Sequence, residues 1–193
     1  MDFRQKLFEY RSYIPIPFLV IMVFYAEPTA KTLVFGFFMV MIGELLRLWG
    51  VAIAGSETRT SGPVGGTFLI TTGPFAYVRN PLYLGNMLIY AGIGMMSNAL
   101  FPWLMIAALA YFFIQYSLIV TLEEEHLAGA FGEEYQRYRA SVPRFIPKLV
   151  KYPPGNNEQP ELDWKRGLQS ERRTLQAITG LVVVLIVISF MPG

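Results

Sequence analysis

The apolar positions of this chain gather into four stretches, 14–26, 32–55, 82–122 and 177–193, the second interrupted by Glu44 and Arg47. About 20 apolar residues cross the hydrocarbon core of a bilayer as a helix, because a helix pairs every backbone N–H and C=O within itself. The third stretch is about twice that length and breaks at Ser97-Asn98-Ala99, with Pro102 close behind, so it predicts two helices joined by a tight turn. The pattern therefore predicts five spans, at approximately 13–26, 31–54, 82–97, 100–122 and 175–191. Pro15 and Pro17 stiffen the start of the first and shortest one. The last is rich in Val and Ile, which favour strands, but its length and the lack of any other strand signal predict a helix.

Between the spans the pattern changes. Phe3, Leu7 and Tyr10 share a helical face beside Arg4, Lys6 and Arg11, as in a helix lying in the membrane interface. Residues 122–140 predict an amphipathic helix leaving the fourth span, with Leu127, Phe131, Tyr135 and Tyr138 at steps of four, four and three on one face. After it Pro143, Pro147, Pro153, Pro154 and Gly155 rule out regular helix and predict a loop along the membrane surface. No internal repeat or low-complexity tract is present.

Composition sharpens the reading. Of 193 residues 53% are hydrophobic and 16% charged, away from the roughly 45–50% and 25% of a soluble domain. Four or five apolar helices in so short a chain leave too little polar sequence to cover them, which predicts a single all-α integral membrane domain over 1–193. With the N-terminus inside, the inside segments 1–12, 56–81 and 123–173 hold 14 of the 16 Lys and Arg, the bias expected of cytoplasmic loops. A net charge of +2 gives no footing for nucleic acid. Without Cys and with one His, thiolate chemistry, iron–sulfur clusters and a His-rich metal site are excluded.

Chemistry is then sought among polar groups at the span ends, since an ionisable group in hydrocarbon costs about 2.5–3.5 kcal/mol. Two places qualify, both on the inside face of the predicted topology: the segment 71–85, with Arg79 and Asn80 before the third span, and Glu123-Glu124-Glu125-His126 where the fourth ends. Glu44 and Arg47, three apart in the second span, read as a helix-internal ion pair. His126, among three carboxylates, reads as ion-paired more readily than as a base. Gly92 and Gly94 read as a small-residue packing seam.

The run Gly-Pro-Phe-Ala-Tyr-Val-Arg-Asn-Pro-Leu-Tyr-Leu-Gly over 73–85 resembles the Gly-x-Tyr-x-x-x-Arg-His-Pro-x-Tyr-x-Gly signature of the isoprenylcysteine carboxyl methyltransferases and their phospholipid methyltransferase relatives. A second run is similar to that family's C-terminal signature: Glu123, Glu124, Leu127, Phe131, Gly132, Tyr135 and Tyr138, then Val142-Pro143-Arg144-Phe145-Ile146-Pro147. The match covers about 69–147. It departs from the carboxyl methyltransferases at Asn80, where they carry His; an Arg-Asn-Pro version resembles bacterial and phospholipid-methylating members, and leaves the acceptor open.

The resemblance implies a multi-pass enzyme of the inner or plasma membrane, its site on the cytoplasmic face. It uses S-adenosylmethionine, releases S-adenosylhomocysteine, and binds the donor between helix ends and the C-terminal segment. Consistently, no Gly-x-Gly-x-x-Gly follows a strand. It implies catalytic roles for Arg79, Glu123 and Glu124. Donor contacts are implied for Leu69, Gly73, Tyr77, Asn80, Pro81, Tyr83, Leu127, Tyr135, Tyr138, Arg144 and Pro147.

Methyl transfer from a sulfonium is an in-line displacement, so the protein must mainly position two reactants and exclude water, with no metal. Carboxylates can balance the donor's cationic centre, and Arg79 can pair with a carboxylate. A carboxylate acceptor needs no base, whereas an amine must be deprotonated, by a Glu or by His126. The expected acceptor is amphiphilic or lipid-linked, with carboxyl O-methylation of the isoprenylcysteine type favoured and phospholipid-type N-methylation the alternative. A membrane reductase and a non-catalytic scaffold or transporter are the remaining readings.

Overall fold

A computed structural model describes residues 2–55, 69–153 and 159–191. Among the described residues six α-helices follow one another: α1 (Phe3–Tyr10), α2 (Pro15–Phe24), α3 (Ala30–Ala54), α4 (Pro81–Ser97), α5 (Trp103–Ser141) and α6 (Trp164–Ile188), with a 3-10 turn at Gly73–Ala76 before α4. No strand occurs among the described residues, as the pattern predicts. The expected loop 56–81 falls partly, and Pro154 and Gly155 wholly, outside the described residues.

The helix ends follow local chemistry. Thr29 and Thr32 form a reciprocal capping box at the start of α3, and Asp163 accepts the Arg166 N–H at the start of α6. Asn98 ends α4 in the left-handed region, at φ 53°, a conformation Asn tolerates. Its side chain donates to the Glu27 carbonyl while Glu27 N–H donates to the Ser97 carbonyl at 2.8 Å, so the α2–α3 and α4–α5 turns are joined at one end of the bundle.

What holds the bundle is the contact between α3 and α4. Gly36, Gly43 and Gly50 recur every seven residues along α3 and face Gly85, Gly92 and Leu82 of α4. A Cβ placed on Gly43 would lie 2.7 Å from the Gly85 carbonyl oxygen, and one on Gly92 would lie 2.6 Å from that of Gly36. Hydrocarbon supplies no hydrophobic drive between helices, so such backbone approach is what makes dispersion between them large. Of the two glycines expected to form a seam, Gly92 does so; Gly94 faces Met105 and Met22 instead. Phe112, Tyr116, Ile119, Ile93, Met96 and Leu185 close the buried core. Phe35, Phe38, Ile42, Ile106 and Ile114 stand exposed, an apolar outer surface expected of a chain in lipid.

The span expectations meet the structure unevenly. α3 and α5 are long and apolar enough to cross a membrane, and α1 with α2, bent by 50°, makes a third candidate if the pair is one span. α4 has 17 residues, about 26 Å of helix, short of the roughly 30 Å core. α6 begins at Trp164, eleven residues before the expected 175, because its first turns carry Lys165, Arg166, Glu171, Arg172 and Arg173, which propensity allows in a helix but hydropathy does not flag. The chain is thus an all-α membrane protein in which, among the described residues, length and apolarity alone mark two or three crossings rather than five. In α1 Phe3 and Tyr10 are exposed, and Phe8 is buried against the bundle, with the Arg11 guanidinium 3.9 Å above its ring.

The glycine seam yields a measurable contrast. Gly92→Ala must push α3 and α4 apart and is expected to destabilise by about 1–3 kcal/mol, as overpacking does. Gly129→Ala, with nothing within 4 Å of its added Cβ, should be neutral or slightly stabilising in the same thermal or denaturant unfolding series in micelles.

Candidate active site

The two motif segments, about 60 residues apart, are laced together by backbone hydrogen bonds. The loop after α5 receives the Arg79 N–H at the Pro143 carbonyl (2.9 Å), and returns the Lys148 N–H to Tyr77 and the Tyr152 N–H to Ala76, both at 3.0 Å. The Asn80 amide donates to the Arg144 carbonyl at 3.1 Å, and the Tyr138 hydroxyl to the Phe75 carbonyl at 2.7 Å. Gly73 turns this segment at φ 58°, where a Cβ would strike Ile53. Leu69, Tyr135, Tyr138 and Val142 form a small core with Leu127 and Phe131 packed on it, the face the four-four-three spacing predicts.

Glu124 is the centre of this knot. Its buried carboxylate meets Arg79 Nη2 at 3.1 Å and Arg144 Nε at 3.1 Å, with a second, shorter bond to Arg144 Nη2; Arg139 Nε lies 4.0 Å away. Arg79 comes from the turn before α4, Arg139 from the end of α5 and Arg144 from the loop beyond it. α5 itself breaks at Gly132, whose φ of 51° and ψ of −125° are non-helical, so its last turns redirect toward this knot. Glu123, one residue earlier, accepts from the Tyr83 hydroxyl at 2.8 Å and from no other side chain among the described residues. Glu125 is taken by Arg4 of α1 at 2.6 Å, and hydrogen bonds from the same Arg4 hold the Asp2 carboxyl below its ordinary range.

Beside the knot lies a cavity of about 1030 Å³. Its walls hold Arg79, Glu123 and Glu124, and of the expected donor contacts Leu69, Asn80, Pro81, Tyr83, Leu127, Tyr135 and Tyr138. Gly73, Tyr77, Arg144 and Pro147 do not line it. Gly73 serves the turn, Tyr77 packs on Trp49 with ring centroids 6.3 Å apart, Arg144 is spent on Glu124, and Pro147 is exposed.

The wall also contains residues that motif reasoning did not select. Asn86 and Tyr90 lie three and seven residues beyond Tyr83 on one face of α4, a spacing that could have found them. Glu171 of α6 could not be found so. It binds both carboxylate oxygens to Arg47 Nη2, at 2.9 and 2.8 Å, while Glu44 lies 3.8 Å from Arg47 Nε; the Glu44–Arg47 pair is therefore secondary to a contact across helices. Arg47 Nη1 also donates to Asn86, whose amide donates to Tyr116. His126 makes no ion pair among the described residues and stands exposed at the cavity, because Glu124 and Glu125 are claimed by arginines.

The residues present fit a sulfonium methyl donor. Two buried donors at the wall, Arg79 Nε and the Tyr135 hydroxyl, have no partner among the described residues and are placed to bind carboxylate or hydroxyl oxygens. Aromatic faces and the acidic Glu123 suit a cationic centre. The volume stands at the top of the roughly 300–1,000 Å³ range of single small-ligand sites, enough for a donor and part of an acceptor.

Known proteins bear on this geometry. The family model for phospholipid methyltransferases matches residues 31–134. The cobalt-zinc-cadmium resistance protein CzcN of Cupriavidus metallidurans is 33% identical over 129 residues, 66% of this chain and 54% of that protein. The protein-S-isoprenylcysteine O-methyltransferase of Schizosaccharomyces pombe is 35% identical over 81 residues, 42% of this chain and 34% of the other. The methanethiol S-methyltransferase of Crocosphaera subtropica is 35% identical over 77 residues, 40% and 28% respectively. The chain thus spans about half the length of these relatives or less. No solved structure matches it.

Glu124→Ala should cost about 3–5 kcal/mol of stability, the usual result of stranding a buried partner charge, here Arg79. Amide exchange at Arg79, Lys148 and Tyr152 should quicken in that variant, since the strap between the motif segments loses its anchor.

Proposed function

This chain belongs to the phospholipid methyltransferase family, and from that premise we propose that it is an S-adenosylmethionine-dependent membrane enzyme acting on an amphiphilic or lipid-linked acceptor. The observation that carries the reading is the convergence of the two motif segments on Glu124 beside a cavity with a polar and an apolar end. Near the knot its wall is Arg79, Asn80, Glu123 and Tyr135; farther along the helices it becomes Leu19, Ile89, Ile93, Ile178 and Leu181. A head group is accommodated at the first end and a chain at the second.

The donor, when bound, supplies an electrophilic methyl on a positive sulfur. The protein's part is position and exclusion of water. Arg79, fixed by Glu124 through one nitrogen and by the Arg139 carbonyl through another, keeps Nε for a donor carboxylate. Tyr135 offers its hydroxyl, Asn80 shapes the start of α4, and Leu69, Pro81, Leu127 and Tyr138 close the wall. Gly73, Tyr77, Arg144 and Pro147 act from behind that wall, by holding the segments that form it. The region 69–147 serves as the catalytic core of one domain spanning 1–193.

In this reading the chain crosses the inner or plasma membrane five times, with α4 and α6 completing the count set by α2, α3 and α5. The bias of Lys and Arg puts the site on the cytoplasmic face, where a soluble donor arrives and a lipid acceptor enters sideways. Leu19 of α2, Ile89 and Ile93 of α4, and Ile178 and Leu181 of α6 line the apolar end of the cavity, which supports lateral entry among these helices. Carboxyl O-methylation of the isoprenylcysteine type is favoured by the motifs, with phospholipid-type N-methylation the alternative. Product lability separates them: a methyl ester is lost in mild base, an N-methyl group is not.

Calorimetry with S-adenosylhomocysteine on the purified protein tests the reading. Binding by the wild type, weakened at least about tenfold by Glu124→Ala, is expected from loss of the Arg79 anchor, since each 1.4 kcal/mol is tenfold. A wild type that binds none of it removes the enzyme reading. A long alkyl chain on the acceptor should raise kcat/KM over a short water-soluble analogue, and equal rates would sink the lipidic acceptor.

A further inference from the structure

The loop after α5 has two faces. Its backbone ties the two motif segments together through the Lys148 and Tyr152 N–H groups, while three of its side chains turn outward. Leu149 is 99% exposed, Ile146 78% and Val150 75%. They form an apolar edge that lines neither the cavity nor the buried core. Single apolar residues at a surface are ordinary; a contiguous group marks a surface that something covers.

The edge is continuous with the lipid-facing side of the bundle. Phe145, which opens it, packs its ring on that of Phe113 in α5, with centroids 5.6 Å apart, and Phe113 and its neighbour Ile114 are exposed. Phe113 precedes Glu124 by eleven residues, about 16 Å of helix, so the loop reaches from the knot of arginines toward hydrocarbon. Adjacent residues therefore have different duties: Arg144 holds Glu124, and Phe145 lies against the outer side of α5. The next acid, Glu125, carries α1 through Arg4, and α1 also holds Phe3 and Tyr10 exposed.

Charge says what covers the edge. Lys148 and Lys151 alternate with the apolar residues; Lys148 donates to the Ser141 carbonyl at 2.9 Å, and Lys151 is exposed with no ion pair among the described residues. Apolar side chains beside bases suit the boundary of an acidic leaflet, where the first enter the acyl region and the second stay at the level of the phosphates. We propose that this loop is seated in the cytoplasmic leaflet, with Ile146, Leu149 and Val150 below the head groups and Lys148 and Lys151 against acidic phospholipid, and that the seat holds Arg144 on Glu124. Acidic lipid is then a ligand of the site. It binds the joined arrangement of the motif segments better than the parted one and favours it by that difference. The seat is independent of the methyltransferase reading; only its effect on donor affinity rests on it.

The chain contains no Cys, so Leu149→Cys gives one attachment point for a bimane dye. The full chain is placed in nanodiscs of phosphatidylcholine, alone or mixed with phosphatidylglycerol. The dye is expected to be quenched by lipids brominated on the acyl chain and protected from aqueous iodide. In the unlabelled wild type, amide exchange at Arg79, Lys148 and Tyr152 should be slower in the mixed discs. Affinity for S-adenosylhomocysteine should rise at least about fivefold there, the worth of one base near an acidic leaflet, and the gain should shrink with salt. Lys151→Gln should lose about fivefold of that gain, and Leu149→Ser with Val150→Ser should lose the slowed exchange, both with unchanged helical content since these side chains pack on nothing in the core. Quenching by iodide and not by lipid overturns the proposal and leaves the edge to a protein partner. Equal exchange in the two discs, or equal affinity where S-adenosylhomocysteine binds, overturns it as well. A wild type that binds no S-adenosylhomocysteine in either disc defeats the methyltransferase reading, and the dye and the exchange then decide the seat by themselves.

Discussion

A carboxylate removed from water must be neutralised where it stands, and in this protein that requirement, met at Glu124, organises the whole candidate site. Three guanidinium groups converge on it from the turn before α4, the end of α5 and the loop beyond. Each alone would be expensive to bury; together they bind parts of the chain that share no regular secondary structure. The break at Gly132 and the backbone bonds between 76–79 and 143–152 follow from that convergence, because arginines so spaced can reach one acid only if the chain folds back on itself.

The other end of the cavity rests on a different force. Gly36, Gly43, Gly85 and Gly92 bring α3 and α4 to backbone contact, and that close register places Arg47 beside Asn86. Charge then recruits α6: Arg47, part-buried at the cavity wall, is answered by both carboxylate oxygens of Glu171. A helix that hydropathy alone would treat as a late addition is in this way fixed against the cavity wall.

Much of this was legible beforehand. The four apolar stretches, the turn at Asn98, the face formed by Leu127, Phe131, Tyr135 and Tyr138, and the pairing of two motif segments all rest on local spacing, which a linear chain displays. The motif reading brought Arg79, Glu123, Glu124 and seven of the eleven expected contact residues to one cavity. It could not tell a residue that faces the cavity from one that supports the wall, as with Tyr77 and Arg144, because direction around a turn is not encoded in the spacing of a motif.

The amino-acid sequence by itself determined the helical class, the membrane setting, the positions of most helix ends and the identity of the polar clusters, since each depends on residues within a few turns of one another. Tertiary structure alone decided which charge answers which. Glu44 is three residues from Arg47, yet Glu171, 124 residues away, is its closer partner; Glu123 and Glu124 are adjacent, yet one meets arginines and the other a phenol. Ion pairing in a buried place depends on distance through space and on the absence of water, and neither quantity is written along the chain.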